Sequence, residues 1–499
     1  MQVNTTFLLS VLPFILFVFL LLWKKLPLLW TSLITLVVIL LLQIFYWQIL
    51  PIYFLNSVVK GVLVALDILV IIFGAIFFLE LLKDIKIIDN IRFYLESFLK
   101  DYRVQIILLA WFFENFIEGT AGFGTPAIIV APLLIGLGLS PLTAVIIGLL
   151  GNSTSVVFGA AGTPIRVGFE GLDVTSVPTY AALFNCVGFL VPVFMLWVLA
   201  SQQKDKKAHF LEALPFAIWS GIAFVVPSVL VVPLGQEFPS ILGSIIGLIL
   251  VLITIRLNIF IPKNKRQLRE IKIPEIRLPW FKLIIPYTIL ILLLLLGKFA
   301  LGTAKLTFPW GLNYQVNLSN PGLAFIAAGV PIAIFWGRKR LALDSFKIAI
   351  SRTWEPFLVI ASMSIITQLI INSGFNLSGL PSTLKVISKG FEVPALPFLA
   401  PIAGAFGSFL TGSATISNIM FGNFLNTASQ IMNMNASKIL ALELVGAAAG
   451  NMIALADVLA AEAVVGLRNK TRYVLKGVIV PCLIYVIIVG AIGLLTGRI

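Results

Sequence analysis

Charge is scarce in this chain. Asp, Glu, Lys and Arg make up 11% of its 499 residues, where a water-soluble domain carries about 25%. That shortfall excludes a soluble enzyme, a coiled coil and a disordered chain together. Acid is scarcer than base, 21 residues against 35, for a formal net charge of +14. In a membrane chain such an excess reads as the Lys/Arg bias of cytoplasmic loops, not as a nucleic-acid surface. There is one histidine and there are two cysteines. Cys186 and Cys482 lie far apart inside apolar runs, so neither a disulfide framework nor a metal site is expected, and no cofactor either. His-Glu-x-x-His, Walker and Gly-x-Ser-x-Gly patterns are missing, and Asp67 and Asp457 lack the Gly-x-Gly-Asp setting of a membrane aspartyl protease. An enzyme or an ATP-driven pump is therefore not expected. Met1-Gln-Val-Asn-Thr-Thr6 has no basic n-region, so the first apolar run is expected to stay as a span.

What is abundant is apolar surface. Hydrophobic residues are 60% of the chain and mean hydropathy is +1.07. At about 20 apolar residues per crossing, that bounds the chain at roughly fifteen spans. The expected fold is an all-α polytopic membrane protein of about 12–14 transmembrane helices, with re-entrant hairpins and broken helices. The segments 119–138 and 412–430 read as hairpins, and 437–465 as a long, Gly-broken run. Lys24-Lys25, Lys204 to Lys207, Lys263 to Lys282 and Arg338-Lys339-Arg340 are basic connectors, placed in the cytoplasm with the uncharged amino terminus outside. Residues 262–280 form the long polar linker, expected to divide a first transmembrane half, 1–261, from a second, 281–499. Asp84 to Arg103 reads as an amphipathic interfacial helix or an ordinary cytoplasmic loop.

An internal echo supports duplication. Phe116-Ile-Glu-Gly-Thr-Ala121 aligns with Phe409-Leu-Thr-Gly-Ser-Ala414, and each is followed by a Gly-Asn pair, Gly151-Asn152 and Gly450-Asn451. Interrupted hydrophobic segments at matching places in two halves point to a transporter's binding site. Glu118-Gly-Thr-Ala-Gly-Phe-Gly-Thr-Pro126 is the densest interruption, with Gly119, Gly122 and Gly124, hydroxyls at Thr120 and Thr125, and a carboxyl at its mouth. Asn152, Ser153 and Thr154 form a second break, followed by Gly159-Ala-Ala-Gly-Thr-Pro164. Ser413, Thr415, Ser417 and Asn418, then Asn451, repeat the arrangement. Hydroxyls, amides and half-helix amino ends bind a small carboxylate without Lys or Arg; tight packing alone would need the glycines but not the clustered Asn, Ser and Thr. A carboxyl at the centre of a membrane helix costs about 2.5–3.5 kcal/mol on insertion scales and needs a reason. Glu118 leads as proton carrier, with Glu114 one turn earlier on the same face. Asp67, Glu443, Asp457 and Glu462 are further candidates, and Arg166 reads either as a partner for a substrate anion or as a snorkelling arginine.

The run from Phe112 to Ile165, with Phe-Ile-Glu-Gly-Thr-Ala-Gly-Phe-Gly-Thr-Pro, Gly-Asn-Ser-Thr and Phe-Gly-Ala-Ala-Gly-Thr-Pro-Ile, resembles the L-lactate permease family. The likeness continues at Gly235-Gln-Glu-Phe-Pro-Ser-Ile-Leu-Gly243 and over Phe406 to Gly466. The resemblance implies a proton-coupled carrier of lactate or glycolate in the plasma membrane, built as two inverted repeats and working as a dimer by an elevator-type motion. It also exposes departures. The family pattern has Asp where this chain has Ala414 and Lys where it has Asn451, while Glu443 replaces a neutral amide and Glu114 a small residue. The expectation is import of a small monocarboxylate, L-lactate with D-lactate or glycolate, by proton symport. A sodium-coupled or differently selective organic-anion carrier of the same fold is the alternative. A channel with the same hairpins would show neither saturation nor uphill accumulation.

Overall fold

The computed structural model describes residues 2–97, 101–122, 125–266, 277–335, 339–467 and 470–496. Among them nearly everything is helix, and the molecule is a multi-pass integral membrane protein. Helices α1 (Gln2–Val18) and α2 (Leu28–Phe45) open the chain, followed by the 34-residue α3 (Pro51–Asp84) and the short α4 (Ile87–Ser97). Next, α5 (Tyr102–Ile107) passes through a π-helical turn, Leu108–Phe113, into α6 (Glu114–Thr120), and α7 (Thr125–Gly136) follows a break. Helix α8 (Pro141–Gly151) gives way to a 3-10 turn, Thr154–Phe158, and to α9 (Gly159–Arg166). A continuous span is made by α10 (Val177–Phe184) and α11 (Val191–Ser201), and α12 (Lys206–Leu230) and α13 (Pro239–Arg256) complete the first part.

Beyond the linker come α14 (Trp280–Ala300), an antiparallel hairpin of β1 (Thr303–Thr307) and β2 (Asn313–Asn317), and α15 (Pro321–Phe335). Then α16 (Lys339–Asn372), another 34-residue helix, leads to α17 (Thr383–Ser388), α18 (Leu396–Thr411) and α19 (Ala414–Ile431). The chain closes with α20 (Ala436–Gly450), a 3-10 turn, α21 (Leu455–Val464) and α22 (Thr471–Thr496).

Among the described residues, ten helices are long and apolar enough to cross a bilayer, and twelve when two bent pairs are each taken as one span. The bends are 41° between α8 and the α9 segment, and 117° between the α17 segment and α18. Twelve meets the lower edge of the expected range. The span Ala436–Val464 is the most central, with 83% of its apolar stretch buried, against 22% for Thr5–Trp23. Trp23, Phe45, Leu296 and Phe299 stand exposed, as lipid-facing side chains do. Parts expected to belong to separate halves interleave: α3 packs along α15 and α16, and α8 along α22.

Two expectations are corrected. The stretch 412–430 is not itself a hairpin. It is one arm, α19, of a helical hairpin whose other arm is α18, and Gly412 turns the corner in the left-handed region at φ 70°. Asp84 to Arg103 is not one interfacial helix. It holds the end of α3, then α4, and then the N-cap of α5, where Asp101 accepts from the Arg103 N–H at 3.0 Å. The all-α expectation holds, with one small β1–β2 hairpin between α14 and α15 that places Tyr314 in an apolar cluster with α3. Its strands, Thr303-Ala-Lys-Leu-Thr307 and Asn313-Tyr-Gln-Val-Asn317, alternate polar and apolar residues, a period-2 pattern only five residues long in each.

Another feature was invisible in the sequence. Arg103 and Asp101 are fully buried and paired at 2.9 Å, and Arg103 also reaches Glu212 at 3.1 Å and the Asn264 carbonyl at 2.9 Å. The Arg266 N–H donates to Asp101 at 3.1 Å, so the start of the linker is tied to the bundle. The Arg266 guanidinium, hydrogen-bonded to Asp205, holds that carboxyl below its ordinary range. His209 is buried here with its Nε2 2.6 Å from the Tyr102 hydroxyl. Most of the linker, 267–276, lies outside the described residues, as does Arg338 of the last basic connector.

Helices α18 and α20 meet backbone to backbone. A Cβ on Gly446 would fall on the Pro401 backbone, and one on Gly404 on the Glu443 backbone. Gly446→Leu is therefore expected to destabilise the bundle by about 1–3 kcal/mol or more through overpacking. Gly390→Ala, with nothing within 4 Å of the added carbon, should leave thermal unfolding in detergent unchanged. Equal melting of the two variants would show that this contact is not tight.

Candidate functional site

The interrupted segments come together. A narrow cavity is lined by Glu118 and Gly122 at the end of α6, and by Gly412, Ser413, Ala414 and Thr415 at the turn between α18 and α19. Val156 and the turn holding Gly159, Ala160, Thr163 and Pro164 form another wall, and Asn451 the last. Each wall is a place where a helix stops. At α6 the stop is Ala121-Gly122, with Gly122 at φ 59°. At α18 it is Gly412, and at α20 the 3-10 turn that starts at Asn451. At α9 the backbone runs left-handed through Ala160 (φ 42°), Ala161 (φ 52°) and Gly162 (φ 78°). Two alanines in that region cost about 1–2 kcal/mol each, strain of the kind that collects at functional sites. Thr163 helps hold the turn by donating to the Ala160 carbonyl at 2.6 Å.

Among the described residues, no lysine, arginine or histidine lines the cavity. Glu118 is 3% exposed, and its Oε2 has no hydrogen-bond partner among the described residues. Gly159 and Gly122 make the room for it, since a Cβ on Gly159 would collide with Glu118 Oε1 and one on Gly122 would come within 3.3 Å. Helix α19 begins at the cavity. Its N-cap Ser413 accepts from the Ile416 N–H at 3.4 Å, and its first turn is Ala414-Thr415-Ile416. The positive end of an 18-residue helix thus meets the space that Glu118 faces.

Of the expected site residues, Glu118, Gly122, Ser413, Thr415 and Asn451 line this cavity. Others lie a layer behind. Glu114 is fully buried with both oxygens unpartnered, against Gly151. Gly119 gives α6 its close approach to Ser240 and Ile241 of α13. Thr120 donates back to the Ile117 carbonyl at 3.0 Å and Ser153 to the Leu150 carbonyl at 2.7 Å. Asn152 caps α8 with both side-chain amide atoms unpartnered, and Thr154 packs against Gly188. Ser417 donates toward Glu443 Oε1 at 3.2 Å. Asn418 donates to the Pro164 carbonyl at 2.8 Å, joining α19 to α9. Gly124 and the side chain of Thr125 lie outside the described residues.

The remaining charged candidates separate. Asp457 lies beside the second hairpin, its Oδ1 3.7 Å from where a Gly412 Cβ would stand, and its Oδ2 is unpartnered. Glu443 is fully buried between α20 and the second hairpin, with Oε2 unpartnered. Glu462 accepts from Thr471 at 2.7 Å, and Glu80 pairs with Lys83 at 2.9 Å and Arg352 at 2.7 Å. Arg166 is not a lone snorkelling arginine. Its Nη2 meets Asp67 Oδ2 at 3.1 Å. Ala160 and Thr163 were missed as lining residues, because only the left-handed turn brings them to the cavity.

Comparison with known proteins agrees with this architecture. The family model described as L-lactate permease matches residues 6–305 and 302–499. The chain is 28% identical over 381 residues to an L-lactate permease of Streptococcus iniae, covering 74% of this chain and 79% of that one. It is 27% identical over 468 residues to the L-lactate permease of Escherichia coli K12, and 27% over 487 residues to that organism's glycolate permease GlcA. Each of those matches spans 85% of this chain and 83% of the relative. With a family model matched along almost its whole length and interrupted helices gathered at one buried cavity, this chain belongs to the L-lactate permease family.

Proposed function

We propose that the protein is a secondary active transporter that imports a small monocarboxylate, L-lactate with D-lactate or glycolate, across the plasma membrane by proton symport. The observation that carries this reading is a cavity walled by interrupted helices that, among the described residues, holds a buried carboxyl with a free oxygen and no basic side chain. A carboxylate substrate meets the amino end of α19, the hydroxyls of Ser413 and Thr415 and the amide of Asn451, all suited to an anion. Glu118 faces the same space. An unpaired carboxylate there is costly, and a proton removes the cost. With the proton on Glu118 and the anion bound nearby, the loaded site is neutral and crosses a low-dielectric barrier without net charge. Each charge favours binding of the other, which couples the two. Glu114, behind Gly151, offers a second carboxyl on the same helix face. We further propose that the halves 1–261 and 281–499 are inverted repeats joined by the 262–280 linker, and that the carrier works as a homodimer.

A second reading has its own support. Ala414 and Asn451, which depart from the family pattern, both line the cavity. The site therefore lacks an acid and a base that the pattern places there, and a different carboxylate, or sodium as coupling ion, fits the altered wall.

The proton role is tested with Glu118→Gln, which keeps the shape and removes the titration. Uptake of radiolabelled L-lactate driven by an imposed pH gradient in proteoliposomes should vanish, while substrate binding is kept. Accumulation equal to wild type would remove Glu118 from the coupling mechanism. Uptake driven by a sodium gradient and indifferent to pH would favour the second reading.

The altered wall has its own test. Ala414→Asp alone should impair folding or transport, since a buried unpaired carboxylate costs several kcal/mol, about 3–5 where a partner is missing. Adding Asn451→Lys should restore part of the loss. A double variant no better than the single one would show that the two side chains do not pair across the cavity.

A further inference from the structure

Arg166 and Asp67 are the charged pair nearest in sequence to a cavity wall, and neither is used by the reading above. Arg166 ends α9, one turn past Thr163, which lines the cavity. Ala160 of that wall and Val167 beside Arg166 pack in one apolar cluster with Val64, Ala65 and Ile68 of α3. On α3, Asp67 receives Arg166 Nη2 at 3.1 Å on Oδ2 and at 3.4 Å on Oδ1, and Asn320 Nδ2 donates to Oδ1 at 2.8 Å. Asn320 is itself held, its Oδ1 accepting from the Gly322 N–H at 2.8 Å and its Nδ2 also reaching the Asp67 carbonyl at 2.9 Å. One arginine and one fixed amide therefore already grip a carboxylate group beside the cavity wall.

The grip is incomplete. A guanidinium presents five N–H donors in a fork that matches a carboxylate edge to edge, yet Asp67 engages Nη2 alone. The pair is also partly open, with side-chain exposures of 11% for Arg166 and 19% for Asp67. Glu170 lies within electrostatic reach of Lys60 and of both members of the pair. Asp67 is thus a tethered carboxylate that occupies the arginine while leaving its remaining donors available.

We propose that Arg166 and Asn320 form an outer monocarboxylate site, distinct from the cavity at Glu118, in which the carboxyl of Asp67 stands in for substrate when the carrier is empty. The substrate's carboxylate takes the free edge of Arg166 and weakens its hold on Asp67. It then passes along α9 to the hydroxyls at Thr163 and Ser413. The tethered carboxyl competes with substrate, so it sets the apparent affinity. This inference rests on the carrier reading above.

The test measures the concentration dependence of radiolabelled L-lactate and glycolate uptake in proteoliposomes, with thermal unfolding of each variant beside it. Asp67→Asn removes the competitor and should lower the half-saturation concentration several-fold. Arg166→Gln should raise it about tenfold or more, the loss of one charged hydrogen-bonding group, and Arg166→Lys should recover part of that loss. The double variant Arg166→Gln with Asp67→Asn has no unpaired charge, so its unfolding temperature should return toward wild type while its half-saturation concentration stays high. A purely structural ion pair gives the opposite pattern: Asp67→Asn raises the half-saturation concentration, and the double variant restores it. Either result overturns the outer site, and both remain readable if Arg166→Gln alone folds poorly. A wild-type protein that takes up neither acid overturns the carrier reading itself, whereas saturable wild-type uptake with an unmoved Asp67→Asn variant overturns only the outer site.

Discussion

Broken helices inside a membrane leave backbone N–H and C=O groups that lipid cannot satisfy, and each such group must be walled in by protein or water. In this chain α6, α8, α18 and α20 all stop within the bundle. The remaining helices enclose those ends, and the ends of α6, α18 and α20 meet at one cavity, with the end of α8 a layer behind. The hydrogen bond from Asn418 to the Pro164 carbonyl is a direct instance, because a side chain on α19 satisfies a backbone oxygen of α9. The most buried span, Ala436–Val464, is also one that breaks, at Asn451. Unbroken helices such as α1, α2 and α14 stand outside with large apolar side chains facing lipid.

Close approach makes that enclosure possible. Gly404, Gly446 and Gly450 let α18 and α20 touch along their backbones, and Gly74 and Gly322 do the same for α3 and α15. Between apolar helices in lipid there is little hydrophobic gain from association, so packing density and interhelical hydrogen bonds carry the contact. Those glycines also account for where the carboxyls fit. Glu118 occupies the space left by Gly159, and Glu114 the space left by Gly151. A bulkier residue at either position would expel an acid from the interior.

Carboxyls with free oxygens are unusual inside a membrane bundle, and this one holds Glu114, Glu118, Glu443 and Asp457 in that condition. Of the charged groups that found partners, Arg103 and Asp101 lie away from the cavity, whereas Arg166 and Asp67 pair just past its α9 wall. Charge is therefore sorted by place, with paired ions where the structure needs anchoring and unpaired acids around the interrupted helices. The absence of a cation in the cavity wall leaves helix ends, hydroxyls and amides as the anion-facing groups.

Composition and local pattern were enough to establish a polytopic helical bundle, because apolar runs of span length with so few charges have no stable alternative to helices in lipid. Glycine, proline and hydroxyl clusters also marked the interruptions correctly, since those residues cannot continue a helix without loss. The pairing of places was another matter. That Ser413 and Glu118 share a space, that Ser417 turns to Glu443 and Asn418 to Pro164, and that Thr163 reaches the cavity all depend on contacts between segments more than 20 residues apart. The buried Arg103 cluster was likewise out of reach, because its partners come from three separate stretches of chain. Local sequence determines where a helix must end; only the packing of the whole chain decides which other ends it meets.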